Sequence, residues 1–159
     1  MKKAFLWLDK HLEEVFMVVF LALIVILMTV QVFMRYVLGN SLSWSDELIR
    51  YAFIWFVFLG IGYGIRTQSH LKIDILEIAV PSFKKMLIAI QDIFIFLFCV
   101  YMILPSVNGI NLLISTGQTS PALGIDMYIV YLSLLIGFVL AMFRLIQKYI
   151  LIIIKRKVV

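Results

Sequence analysis

Four long apolar runs divide the chain, and each is apolar on all sides rather than along one stripe. Val15 to Met34 carries no charge. Leu48 to Ile65 carries one, Arg50, near its start, and Met86 to Leu104 has Asp92 inside it. Met127 to Ile146 has Arg144 near its end. A hydrocarbon core of about 30 Å takes roughly 20 helical residues, and each run is about that long. The pattern therefore predicts four transmembrane helices, over about 15–34, 48–65, 86–104 and 127–146. Strands of a membrane barrel would alternate apolar and polar positions, and these runs do not.

Two shorter stretches have a different pattern. Phe5, Leu8, Leu12 and Phe16 recur at helical spacing, with Lys10 and Glu14 paired at i, i+4 on another side. Residues 71–80 (LKIDILEIAV) mix Lys72, Asp74 and Glu77 with aliphatics and stop at Pro81. Both read as short amphipathic helices on the inner leaflet, over about 3–14 and 71–80, with Trp7 at headgroup level and Ser82 capping the third span. The expected fold class is an all-α polytopic membrane protein. No repeat or linker is evident, so residues 1–159 read as a single membrane domain.

Composition narrows the classes further. Of 159 residues, 64% are hydrophobic and 14% charged, against about 25% charged in an ordinary soluble domain. A soluble fold of this size could not hide that much apolar surface. Cys99 is the one cysteine, so the chain has no internal disulfide and no CxxC pair. His11 and His70 are too few for most histidine-based metal sites, and no hydrolase, zincin or phosphate-binding motif occurs. No catalytic residue, cofactor or metal site is expected.

The net charge of +5 reads as topology rather than nucleic-acid binding. Lys2, Lys3 and Lys10 precede the first span, and Arg66, Lys72, Lys84 and Lys85 lie between the second and third. Arg144, Lys148, Lys155, Arg156 and Lys157 close the chain. Of the 14 positive residues only Arg35 and Arg50 lie elsewhere, and residues 105–126 contain none. The positive-inside rule places both termini in the cytoplasm. Asp9, Glu13 and Glu14 break the first apolar stretch, and no A-x-A site follows, so the N-terminus does not read as a cleavable signal.

Ionisable groups inside a membrane are functional candidates by default. Asp92 lies about 10 Å below the cytoplasmic edge. It reads as a carboxylate paired with Arg66, Lys84 or Lys85, as a protonated group bonded to a backbone carbonyl, as a helix contact, or as a proton or sodium site. The run from Asn40 to Tyr51 forms a second cluster. Ser43 and Asp46 fit a capping box, and Asp46 and Glu47 can both reach Arg50 along the helix. Arg35 and Tyr36 end the first span nearby, and Trp44 and Tyr51 suit the interface. This cluster is either a well-capped helix start with a snorkelling arginine or a docking or lipid-headgroup site. The third feature is a long outer loop, Pro105 to Asp126, which is either a plain connector or a partner-binding loop. Gly60, Gly62 and Gly64 allow a close helix crossing.

These residues resemble a known family. The run Gln31-Val32-Phe33-Met34-Arg35-Tyr36-Val37, then Ser41-Leu42-Ser43-Trp44-Ser45-Asp46-Glu47-Leu48-Ile49-Arg50-Tyr51, then Trp55 to Gly60, resembles the small membrane subunit of tripartite ATP-independent periplasmic (TRAP) transporters. The resemblance continues through Arg66, His70 and Asp74 and returns in Ser120-Pro121-Ala122-Leu123-Gly124-Ile125, Tyr131 and Gly137. It implies a bacterial inner-membrane protein that pairs with a large elevator-type subunit carrying the substrate and sodium sites. It also implies a periplasmic binding protein that delivers an organic acid, such as a dicarboxylate or a sialic acid. The small subunit would be a non-catalytic scaffold. Its contacts to subunit, lipid or binding protein would draw on Arg35, Tyr36, Trp44, Ser45, Asp46, Glu47, Arg50, Asp92, Ser120 and Pro121. The competing reading is a self-sufficient proton-coupled exporter acting as a homo-oligomer, with Asp92 as its proton site. A lipid-metabolising membrane enzyme is the weakest alternative, because its catalytic groups are absent.

Overall fold

The structure is a computed structural model that describes residues 2–67 and 84–157, with side chains over 13–67 and 86–151. The segment predicted as an interfacial helix over 71–80, with His70 and Ser82, lies outside the described residues, as do the side chains of His11, Lys84 and Lys85. Four helices make up the fold: α1 Lys2–Tyr36, α2 Ser43–Thr67, α3 Lys84–Thr116 and α4 Met127–Lys157. All four are long and apolar enough to cross a membrane. With no water available to backbone groups in lipid, a helix is the only open-chain solution, because it satisfies its own N–H and C=O groups.

Packing follows the order α1 on α2, α2 on α4, and α4 on α3, so α1 and α3 form the two edges. The tightest crossing is α2 on α4. A Cβ at Gly137 would lie 2.8 Å from both the Cβ and the carbonyl oxygen of Phe58. A Cβ at Gly62 would run into Leu140, whereas at Gly60 it would meet only Met17 Cε at 3.5 Å. Small residues thus let the two backbones approach, as membrane packing requires. The buried cluster Ile65, Cys99, Phe138, Ala141 and Leu145 fills the space between α2, α3 and α4. Phe138 takes the rings of Phe58 and Phe98 edge-on, at 5.6 and 6.0 Å between centroids.

Three expectations change. Residues 3–14 are helical but run into the first span without a break. The third span does not stop at Leu104, because α3 continues through Pro105 to Thr116. A proline removes one ladder bond, but leaving the helix inside lipid would expose many more backbone groups. Gly109 helps the extension pack, with the Tyr131 ring 3.4 Å from where its Cβ would be. The long outer loop expected from Pro105 onward therefore contracts to residues 117–126. The capping box of Ser43 and Asp46 does not form, since Ser43 is already helical. Instead the Leu42 carbonyl accepts from the Ser45 N–H at 3.1 Å.

Candidate functional site

Three polar clusters tie the helices together. At the end of the bundle that carries the α1–α2 and α3–α4 loops, α1 meets α2 through Gln31 and Ser45. Both are buried, and Ser45 Oγ donates to Gln31 Oε1. The Gln31 amide in turn donates to Ser41 Oγ at 3.4 Å.

Just beyond Ser45 on α2, Glu47 points to the opposite loop. Its Oε2 accepts the backbone N–H groups of Ala122 and Leu123 at 3.0 and 2.9 Å. Its Oε1 accepts the Tyr51 hydroxyl at 2.7 Å, and that hydroxyl sits 3.3 Å from Met127 Sδ. A carboxylate held by two amides and a phenol is well satisfied without a cation. The loop is built to present those amides. Gly117 (φ +60°) ends α3 in the left-handed conformation, and Gly124 (φ +67°) closes back on Ser120 O at 3.0 Å. Ser120 is buried: its N–H donates to Ile125 O at 2.8 Å, and its Oγ accepts from Ile125 N at 3.2 Å. Pro121 and Ala122 remain exposed beside it.

Glu47 therefore does not neutralise Arg50. Asp46 does not either, since it faces Arg35 at 3.9 Å with both side chains half exposed, a weak surface pair. Arg50 is exposed and makes no ion pair among the described residues. Trp44 and Tyr36 are exposed at the same end.

Asp92 lies toward the other end, away from this group, and makes the helix contact that was one of its expected readings rather than a pair with Arg66; the Lys84 and Lys85 side chains lie outside the described residues. Its Oδ2 accepts Lys148 Nζ at 2.6 Å and the Tyr149 hydroxyl at 2.9 Å, both from α4. Arg66 belongs instead to a cluster that sequence reasoning missed. Glu13, 1% exposed, accepts Arg144 Nε at 2.7 Å, and Arg144 is 6% exposed. Arg144 Nη1 also donates to Gln147 Oε1 at 2.7 Å. Arg66 Nη1 approaches Glu13 Oε2 at 3.7 Å, which is an ion pair but longer than a hydrogen bond. The cluster joins α1, α2 and α4, and Gly62 leaves the room that the Glu13 carboxylate occupies. The missed signal was depth. Glu13 opens the first span, while Arg66 and Arg144 close the second and fourth, so all three lie at one level.

The sequence matches known proteins over most of its length. The family "Tripartite ATP-independent periplasmic transporters, DctQ component" matches residues 24–154. The chain belongs to this family. Among relatives, it is 31% identical over 149 residues to the isethionate TRAP transporter permease protein DctMQ of Oleidesulfovibrio alaskensis, covering 89% of this chain and 23% of that protein. It is 30% identical over 107 residues to the ectoine TRAP transporter small permease protein TeaB of Halomonas elongata, covering 67% of this chain and 55% of TeaB. It is also 30% identical over 110 residues to the C4-dicarboxylate TRAP transporter small permease protein DctQ of Rhodobacter capsulatus, covering 69% of this chain and 48% of that one. This chain thus spans between about a quarter and about half of these relatives. It is a multi-pass membrane component of a TRAP transporter.

Proposed function

We propose that this chain is the small, non-catalytic scaffold subunit of a sodium-coupled TRAP transporter in a bacterial inner membrane, with both termini cytoplasmic. It pairs with a large elevator-type subunit, and a periplasmic binding protein delivers the substrate, an organic acid such as a dicarboxylate or a sialic acid. The observation that carries this reading is how the buried acids are used. Glu13, Glu47 and Asp92 each join one helix to another helix or to a loop of the same chain. A transport site needs groups that can exchange partners with a solute or ion. These carboxylates are instead fixed between structural neighbours. The fused naming of the DctMQ relative, of which this chain covers 23%, supports a large partner subunit. Against the exporter reading, Asp92 is already held by Lys148 and Tyr149.

Affinity purification from native membranes in mild detergent tests the pairing. A large membrane protein co-purifying in fixed ratio is expected, and recovery of this chain alone would overturn the reading. The exposed Arg50 is assigned to the docking of lipid or binding protein. Arg50→Ala should therefore lower uptake and leave its sodium dependence unchanged. Full uptake with full co-purification would remove that role.

A further inference from the structure

The two edge helices differ in a way that separates a lipid face from a protein face. On α1, Thr29 is an exposed polar side chain in an otherwise apolar stretch, and its hydroxyl is satisfied by Val25 O at 2.8 Å. That face asks nothing of its surroundings beyond acyl chains. On α3, Phe94, Leu97, Tyr101, Leu104, Asn108 and Asn111 recur in alternating steps of three and four, and all are exposed. These residues form one face of the helix; α1 presents the same spacing of exposed residues at Val18, Leu21, Val25, Met28 and Val32, all apolar, so it is the polar groups of the α3 seam that set it apart. Phe94 at 70%, Tyr101 at 71% and Leu104 at 71% are among the most exposed large side chains of the bundle.

The seam also carries unmet polar groups. Tyr101, Asn108 and Asn111 make no side-chain hydrogen bond among the described residues. Pro105 has no N–H, so the Tyr101 carbonyl loses its ladder donor on the same exposed side. The depth of these groups follows from the bundle. Asp46 to Arg66 on α2 covers about 30 Å, the thickness of the hydrocarbon core. Phe58 of α2 and Phe98 of α3 meet at Phe138, which sets the two helices in register. Tyr101 then lies within one turn of mid-depth, and Asn108 lies about 10 Å nearer the loop end, still inside the core. Lipid chains cannot donate or accept hydrogen bonds, whereas side chains on a neighbouring helix can.

We propose that the exposed seam of α3, from Phe94 to Asn111, is the docking face for a transmembrane helix of the large subunit, and that the outer face of α1 is lipid-facing. That helix would carry hydrogen-bonding side chains opposite Tyr101 and Asn108. This rests on the scaffold reading above. The hydrogen-bonding need within the span on α3, absent among the described side chains at the same depth on α1, where Thr29 and Gln31 are satisfied, argues for a protein partner. The long permease that contains this chain's equivalent argues for the large subunit rather than a second copy.

The test is photo-crosslinking in native membranes, with a benzophenone amino acid in place of Leu97 or Leu104 on α3, or of Val19 or Ile26 on α1. Adducts are identified by mass spectrometry. Adducts with the large subunit from the α3 sites, and none from the α1 sites, are expected. Adducts with the large subunit from α1 alone would overturn the assignment of faces while leaving the pairing intact. Adducts from α3 to a second copy, or to lipid only, would overturn the occupant. Failure of the chain to co-purify with any large subunit would overturn the scaffold reading itself. As a second arm, Tyr101→Phe with Asn108→Leu keeps the seam apolar. It should lower the recovered subunit ratio about threefold for each hydrogen bond removed. An unchanged ratio would contradict the polar contacts.

Discussion

At the scale of single residues, the decisive groups are acids with fixed partners. Glu13 holds Arg144 at 2.7 Å with both almost fully buried. Removing one partner of a buried pair leaves an uncompensated charge, at a cost of about 3–5 kcal/mol. Glu13→Ala should therefore greatly reduce the thermal stability of the detergent-purified protein. Glu13→Gln keeps an acceptor for Arg144 Nε but not the charge, so it should recover only part of that loss. An unchanged melting temperature in either variant would contradict the buried pair. Glu47 makes a separate prediction. In Glu47→Ala the amides of Ala122 and Leu123 lose their acceptor, and their hydrogen exchange should quicken roughly tenfold or more, with α1 amides unchanged. The sequence marked Glu47, Asp92 and Ser45 as notable, and allowed Asp92 a contact with another helix, but named the observed partner of none of them. Helical spacing reveals neighbours three or four residues apart, such as Glu47 and Arg50. It says nothing of Ala122 amides 75 positions away or of Lys148 on another helix. Glu13 escaped notice because its charge looked interfacial until Arg66 and Arg144 were placed at the same depth.

At the scale of elements, hydropathy was enough to place all four spans, because lipid leaves the backbone no other open structure. It misjudged the end of α3, where Pro105 reads as a terminator in water but is tolerated within a membrane helix, and it took residues 3–14 as a separate helix where α1 is continuous. The glycine-lined crossing was also legible, though not which glycine matters most. Gly137 lies against the Phe58 backbone, where nothing can yield, whereas Gly60 faces the flexible end of Met17. Gly137→Ala should force α2 and α4 apart, lowering both yield and melting temperature. Gly60→Ala should leave both unchanged. Melting curves of the two variants side by side decide this, and equal behaviour would contradict the close crossing.

At the scale of the whole molecule, four helices packed in the order α1, α2, α4, α3 leave α1 and α3 as two broad edges. Family and fold class were legible from the run Ser41 to Tyr51 and the apolar spans. Substrate was not, since relatives sharing this family are named for isethionate, ectoine and C4-dicarboxylates. The central claim is that this subunit supports transport without performing it. Proteoliposome flux tests that claim most directly. The chain is reconstituted alone or with its large subunit and binding protein, under an imposed sodium or proton gradient. The expected result is sodium-driven uptake by the complete set and none by this chain alone. Solute flux driven by either gradient through this chain alone would contradict the account.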